Sequence, residues 1–139
     1  MKLYVVITLT VFLIGCMAKP EQPPLTELEK AYFDRVGRKC NCLIEREVNP
    51  EIYKKSDTLR KRGWYVFVLD SISCEAVEKK DSLEKTANTI SRQLHRKILT
   101  KDFVYDYDHI SIVFSCRSGV NSRNNAAFTY TLEDLDKMP

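Results

Sequence analysis

The feature that most constrains the fold is the apolar run Trp64-Tyr65-Val66-Phe67-Val68-Leu69. Successive side chains of a strand point to opposite faces of a sheet, and here both alternating sets are apolar. Such a run is typical of an inner strand that is covered on both sides. We expect a central strand over 64–73, which continues through Ile72 to Cys74. The chain must therefore supply neighbouring strands and packing layers for it.

A long amphipathic helix is predicted over 82–99, capped by Asp81 or Ser82. Its apolar residues follow helical spacing and form one stripe. These residues are Leu83, Ala87, Ile90, Leu94 and Ile98. The opposite side of the helix is cationic and is interpreted as a solvated face. Its members are Lys85, Arg92, Arg96 and Lys97.

After this helix the apolar residues recur at every second position, which predicts a strand over 110–116. Its inward set is Ile110, Ile112, Phe114 and Cys116. The segment 117–125 has turn composition, and alternation resumes from Ala126 to Leu132, so we expect a hairpin with a long tip. A right-handed crossover through the long helix would make the strands at 64–73 and 110–116 parallel. A helical turn is expected over 132–137.

The N-terminal part of the domain begins with the capping-box spacing of Thr26 and Glu29. A short helix is predicted over 27–36, with Leu28, Tyr32 and Val36 on one face and Gly37 as its stop. The segment 40–48 has strand composition. The connection 49–63 fits either a surface helix or an irregular loop, and both alternatives stay open.

These elements predict an α+β fold with a mixed four-stranded sheet and a β-β-α-β-β core. The long helix would cover one face of the sheet, and the short N-terminal helix is available for the other face. The expected organisation is a signal peptide at 1–15, a tether at 16–24 and a single α+β domain at 25–139. The tether contains three prolines and cannot build a core.

The start of the chain has one lysine, Lys2, followed by an uncharged run that ends at Leu13-Ile14-Gly15-Cys16. The run is too short to cross a bilayer as a helix. Its last four residues resemble the lipobox of bacterial lipoproteins. That resemblance implies cleavage before Cys16, acylation of Cys16 with fatty acid such as palmitate, and an envelope protein anchored to a membrane, with the outer membrane favoured. The alternative is a secreted protein whose signal is cut after Ala18.

The C-terminal half is similar to small uncharacterised lipoproteins of Bacteroidetes-type bacteria. The matching residues are Tyr107, Asp108, Ile110, Ile112 and Phe114. This resemblance implies no particular activity.

Four cysteines remain in the predicted domain: Cys40, Cys42, Cys74 and Cys116. An exported protein enters an oxidising compartment, so disulfides are expected. If the strand at 40–48 is antiparallel to the one at 64–73, all four lie at one end of the sheet. The favoured connectivity then joins the Cys40/Cys42 pair to Cys74 and to Cys116. Free thiols and a four-thiolate zinc site are the alternatives.

Groups suited to catalysis are sparse. Asp106, Asp108 and His109 could act as metal ligands, although such a cluster is more often the polar entry to a strand. His95 has no nucleophile motif near it, and no glycine-rich phosphate loop is present. The net charge of +3 gives no case for nucleic acid as a partner. No cofactor is expected, and the chain is predicted not to be an enzyme.

The sequence thus favours a non-enzymatic envelope lipoprotein that binds an envelope protein or polymer. The turn at 117–125 is the expected recognition loop, because loops on rigid scaffolds commonly carry binding. Its candidate residues are Arg117, Asn121, Arg123 and Asn124. The alternatives are a metal-dependent or hydrolytic enzyme that uses the Asp106–His109 cluster, and a toxin-immunity-type lipoprotein.

Overall fold

The structure, a computed structural model, describes residues 22–48, 63–100, 107–120 and 122–139. It contains four α-helices, one π-helical turn and four strands within these ranges. In order they are α1 (Glu27–Cys40), β1 (Leu43–Glu47), β2 (Trp64–Asp70), α2 (Cys74–Glu78), α3 (Lys80–Gln93), a π-helical turn (Leu94–Ile98), β3 (His109–Arg117), β4 (Arg123–Thr131) and α4 (Leu132–Lys137). The question of helix or loop at 49–62 falls outside these ranges.

The four strands form one mixed sheet in the order β1-β2-β3-β4. β1 is antiparallel to β2, β2 is parallel to β3, and β3 is antiparallel to β4. The parallel pair places Phe67 beside Ile112, and the hairpin places Ile112 beside Phe128. The predicted α+β fold and its β-β-α-β-β core are therefore confirmed. The parallel pairing follows from the helical crossover between β2 and β3.

α1 begins with the predicted capping box. The Thr26 hydroxyl accepts the Glu29 amide at 3.2 Å, and the Glu29 carboxylate accepts the Thr26 amide at 2.8 Å. The predicted stop at Gly37 is wrong, because α1 continues to Cys40 and ends where Asn41 adopts φ 51°. Asparagine tolerates this left-handed conformation better than most residues. Gly37 instead permits a close approach, since a Cβ there would lie 3.2 Å from the Cys42 carbonyl oxygen.

β1 is shorter than the predicted strand over 40–48. Cys40 belongs to α1, and Cys42 lies in the turn before Leu43. Ile44 is partly buried against the core, while Leu43 is exposed. The chain must leave α1 through the Asn41 turn before it can pair with β2, and this delays the start of β1.

The hydrophobic core lies between one face of the sheet and a single layer of helices. Phe67 of β2 packs edge-on against Phe33 of α1, with ring centroids 5.0 Å apart. The stripe predicted for the long helix also enters this core: Leu83, Ala87, Ile90 and Leu94 are buried, and Ile98 packs against them. The stripe predicted for α1 is only partly right, because Tyr32 is buried but Leu28 is 45% exposed.

The expectation that the N-terminal helix covers the second face is wrong. α1 and α3 lie side by side on the same face, where the Tyr32 hydroxyl donates to the Gln93 side chain at 2.9 Å. Val66 and Val68 of β2 point to the opposite face and are half-buried. Both helices use the face that carries the larger side chains, because aromatic rings there bury more apolar area.

The long helix differs in detail from the sequence prediction. It begins at Lys80, and neither Asp81 nor Ser82 caps it. β2 ends at Asp70, and Cys74 starts α2, which is a separate short helix. The prediction that the cationic face of this helix is only solvated is partly wrong, because two of its arginines form hydrogen bonds within the protein. Arg92 donates to the Pro139 carbonyl, and Arg96 donates to the carbonyls of Leu135 and Met138. These bonds hold the C-terminal segment, including the predicted helical turn α4, against α3.

Candidate functional site

The segment that precedes α1 is docked on β1 by a buried ion pair. The Arg46 guanidinium lies 2.9 Å from the Glu29 carboxylate, and the two side chains are 3% and 0% exposed. Arg46 also donates to the Pro23 carbonyl. The side-chain oxygen of Gln22 accepts the backbone amide of Val48 at 2.7 Å. The end of the predicted tether is thus fixed to one end of the sheet.

Glu29 joins three separate parts of the fold. Its carboxylate accepts hydrogen bonds from the Thr26 backbone amide, the Arg46 guanidinium and the Tyr65 hydroxyl. The bond from Tyr65 measures 2.8 Å. Burial, followed by the nearby Glu29 carboxylate, raises the pKa of Tyr65. Tyr65 therefore stays protonated and donates to Glu29. Buried charges persist in proteins when they are paired and hydrogen-bonded in this way.

The predicted recognition loop lies at the other end of the sheet. Glu47 pairs with Val66 near the docked tether, whereas Arg117 pairs with Arg123 where β3 and β4 meet. Through Val66, Glu47 lies level with Ser111 of β3, and the six residue steps from Ser111 to Arg117 span about 20 Å. The β3–β4 hairpin tip is therefore far from the point where the tether enters.

The structure brings some of the predicted recognition residues together. Arg117 and Arg123 face each other across the hairpin, and both are exposed. Arg123 also lies 3.8 Å from the buried Asp70 carboxylate. Asn124 is exposed opposite Cys116, while Asn121 lies outside the described residues. The hairpin tip is thus an exposed surface of basic and polar side chains, and the contact between Arg123 and Asp70 links it to β2.

The four cysteines lie at the same end as the hairpin tip, as the antiparallel β1 requires. Their connectivity differs from the favoured one: Cys74 is joined to Cys116, and Cys40 is joined to Cys42. The left-handed Asn41 brings the Cα atoms of Cys40 and Cys42 to 5.3 Å. The Cys74 and Cys116 Cα atoms are 5.2 Å apart. Their approach is supported by the bond from the Ile72 amide to the Ser115 carbonyl.

The Asp106–His109 cluster is described only in part, because Asp106 lies outside the described residues. Asp108 and His109 contact each other at 2.5 Å, and the His109 ring stacks on Trp64 with centroids 5.3 Å apart. Among the residues that the structure describes, no group of three potential ligands could hold a metal ion. The described geometry therefore adds nothing to the metal hypothesis.

The second histidine, His95, lies 2.8 Å from Asp136 of α4. In the described ranges, neither histidine is hydrogen-bonded to a serine, threonine or cysteine side chain. A nucleophilic site requires such a contact between base and nucleophile. The contacts of His95 instead join α4 to the long helix.

Sequence reasoning missed two features. The sequence pattern predicts only a capping role for Glu29 and assigns no role to Arg46. A signal was present, because Arg46 follows Ile44 by two residues and so shares its inward face. The second missed feature is the groove between α1 and α3, two helices that are about forty residues apart in the chain. No single-helix pattern contains that signal.

The lipidation candidate, Cys16, lies outside the described residues, as does the whole predicted signal peptide. Within the described ranges, no helix has both the length and the apolar character needed to cross a membrane. Comparisons with protein-family models, with curated proteins and with solved structures found no match to this chain.

Proposed function

We propose that this protein is a non-enzymatic lipoprotein of the bacterial cell envelope that holds a small binding domain close to a membrane. The proposal combines the lipobox-like sequence ending at Cys16 with the fixed position of the tether. The observation that carries it is the docking of Gln22 and Pro23 on β1. A lipid-anchored domain whose tether is fixed in this way presents one end to the membrane and the other end to the envelope.

The length of the tether supports this arrangement. Six peptide units separate Cys16 from Gln22, and such a segment spans at most about 20 Å. The β1 end of the sheet would therefore stay near the lipid surface. The hairpin tip, with Arg117 and Arg123, would point away from it toward envelope proteins or polymers. The cysteine pairs at this end suit an oxidising compartment.

The anchor is tested by labelling cells with a clickable palmitate analogue. The Cys16→Ser protein should lose the label and accumulate as uncleaved or soluble protein. Cys40→Ser serves as the matched control, because it removes a different cysteine and should leave labelling intact. Full labelling of the Cys16→Ser protein would refute the lipoprotein assignment.

Binding at the hairpin tip is tested by affinity capture from envelope extract followed by mass spectrometry. The double variant Arg117→Ala/Asn124→Ala should lose the captured partner, because both side chains are exposed at the tip. Lys80→Ala is the control, because this exposed residue lies on α3 and not in the hairpin. Equal capture by the wild type and the hairpin variant would exclude the tip as the binding surface.

A further inference from the structure

A second surface of the domain is a cleft between α1 and α3, which we call the interhelical groove. It has a volume of about 640 Å³ and is open to solvent. Four basic side chains line it, two from the C-terminal half of α1 and two from the long helix and its π-helical turn. They are Arg35, Lys39, Lys85 and Lys97. No aspartate or glutamate contributes to the described lining.

These four cations carry charges that no neighbouring carboxylate in the described part of the chain neutralises, a property they share with Lys80, Arg92 and Arg96. Lys30, Arg38 and Lys79 each form an ion pair with a carboxylate three or four residues away. In the part of the chain that the structure describes, the four groove cations form no ion pair. Like charges held around one concave surface create a local positive potential that attracts anions.

The groove also offers uncharged hydrogen-bonding groups. The Thr86 and Thr89 hydroxyls donate to the carbonyls of Ser82 and Lys85, both at 3.0 Å, which leaves their oxygens as acceptors. The Gln93 side-chain oxygen accepts a hydrogen bond from the Tyr32 hydroxyl at 2.9 Å, which leaves its NH2 group as a donor. Sugar hydroxyls both donate and accept, and they match this mixture.

The aromatic content of the groove argues against nucleic acid. Single-stranded nucleic acids bind through exposed aromatic faces on which bases stack. Tyr32 is 2% exposed, and the Arg35 guanidinium lies over its ring at 5.1 Å from the centroid. Tyr32 is the single aromatic residue of the described lining. A base would find no stacking platform there.

We propose that the interhelical groove binds an anionic glycan, a sugar chain that carries phosphate or carboxylate groups. The guanidinium of Arg35 and the ammonium groups of Lys39, Lys85 and Lys97 would bind the anionic groups. Thr86, Thr89 and Gln93 would bind the hydroxyls between them. Lys85 and Lys97 are twelve residues apart, or about 18 Å along the helix, which is the length of a few sugar units. The proposal names a partner for the envelope function above and relies on that function only for the source of the glycan.

The test is isothermal titration calorimetry on the full chain in non-ionic detergent at low salt. The probes are phosphomannan, alginate, neutral mannan, polyglutamate and a single-stranded oligonucleotide. We expect binding of phosphomannan, alginate or both, and no binding of neutral mannan. The tighter of the first two identifies phosphate or carboxylate as the natural anionic group. Equal or tighter binding of polyglutamate or the oligonucleotide would overturn the proposal, because it would mean that charge alone is recognised.

A pair of charge-matched variants locates the site. Lys85→Gln/Lys97→Gln removes two cations from the groove and should weaken glycan binding by about tenfold, or about threefold for each lost contact. Lys80→Gln/Lys137→Gln removes the same charge elsewhere and should change affinity by less than about twofold. Equal losses in the two variants would overturn the assignment to the groove. All these residues are exposed, and thermal melts would verify that both variants fold.

This result is independent of the anchor. Failure of palmitate labelling would remove the proposed location and leave glycan binding by the purified protein unaffected. Absence of glycan binding would remove the groove proposal and leave the labelling result unaffected.

Discussion

Arg46 on β1 and Glu29 on α1 form an ion pair of 2.9 Å that is almost completely buried. Moving two charges out of water costs free energy that their attraction only partly offsets. The pair nevertheless has a positional effect, since Arg46 also contacts Pro23 and Glu29 also contacts Tyr65. It fixes an edge strand, a helix start and the tether in one arrangement.

Breaking this pair should strongly destabilise the fold. Arg46→Met leaves the Glu29 carboxylate buried without its cation, and we expect a loss of about 3–5 kcal/mol in the free energy of unfolding. Arg38→Met is the control, because Arg38 and Asp34 are both exposed and 3.9 Å apart. It should cost no more than about 1 kcal/mol. Urea denaturation measures the free energy of unfolding of both variants. If Arg46→Met lost as little stability as Arg38→Met, the buried pair would not be essential for stability.

Buried tyrosines predict a loss of stability in alkali. Burial raises the pKa of Tyr32 to about 12, and burial with the Glu29 carboxylate raises the pKa of Tyr65. The folded protein therefore holds these protons more tightly than the unfolded chain does. Their stabilising contribution is complete below about pH 10 and falls as the pH rises through the folded pKa values.

Urea denaturation at a series of alkaline pH values checks this expectation. Tyr65→Phe should make the decline above about pH 10 less steep, because the substituted side chain no longer titrates. At neutral pH the same variant should lose about 1–3 kcal/mol, since Glu29 loses a hydrogen bond. An unchanged alkaline slope would contradict the role assigned to Tyr65.

Ile90 is the test of the helix face. It is buried in the middle of the α3 stripe, so Ile90→Ala should lower the free energy of unfolding by about 2–5 kcal/mol. Thr86→Ala, one turn earlier and exposed, should change it by no more than about 0.5 kcal/mol. Arg92 would be a poor control because it contacts the Pro139 carbonyl. Equal shifts in thermal melts would mean that the buried face is assigned incorrectly.

The Cys74–Cys116 bond should contribute much more stability than the Cys40–Cys42 bond. Its cysteines are 42 residues apart in sequence, against two for the other pair. In the chain-entropy account, the longer closed loop contributes about 4 kcal/mol and the shorter one about 1.5 kcal/mol. Cys74→Ala/Cys116→Ala should therefore melt well below Cys40→Ala/Cys42→Ala.

The redox state itself is measured by mass spectrometry after alkylation without reduction. Protein purified from the envelope should show a linked peptide pair that contains Cys74 and Cys116. Alkylation of all four domain cysteines would reject both bonds. Peptides that join Cys40 or Cys42 to Cys74 would instead restore the connectivity favoured by the sequence.

The sequence by itself determined the sheet and most of the core. The apolar run at 64–69, the stripe from Leu83 to Leu94 and the alternation from Ile110 to Cys116 each report local burial, because periodicity depends only on the geometry of one element. The parallel pairing of β2 and β3 followed from the crossover rule. The capping box of Thr26 and Glu29 could also be predicted from the sequence, since its contacts join residues only three positions apart.

Only the tertiary structure decided how these elements meet. Tyr32 and Phe33 of α1 pack on Phe67, and the Tyr32 hydroxyl donates to Gln93 of α3, so both helices lie on the same face of the sheet. The Asn41 turn changes which cysteines can pair. The Arg46–Glu29 pair and the interhelical groove join residues that are distant in the chain. A sequence pattern records which side of an element is buried, but not which partner buries it. Partner choice depends on contacts between elements, and those contacts exist only in the folded chain.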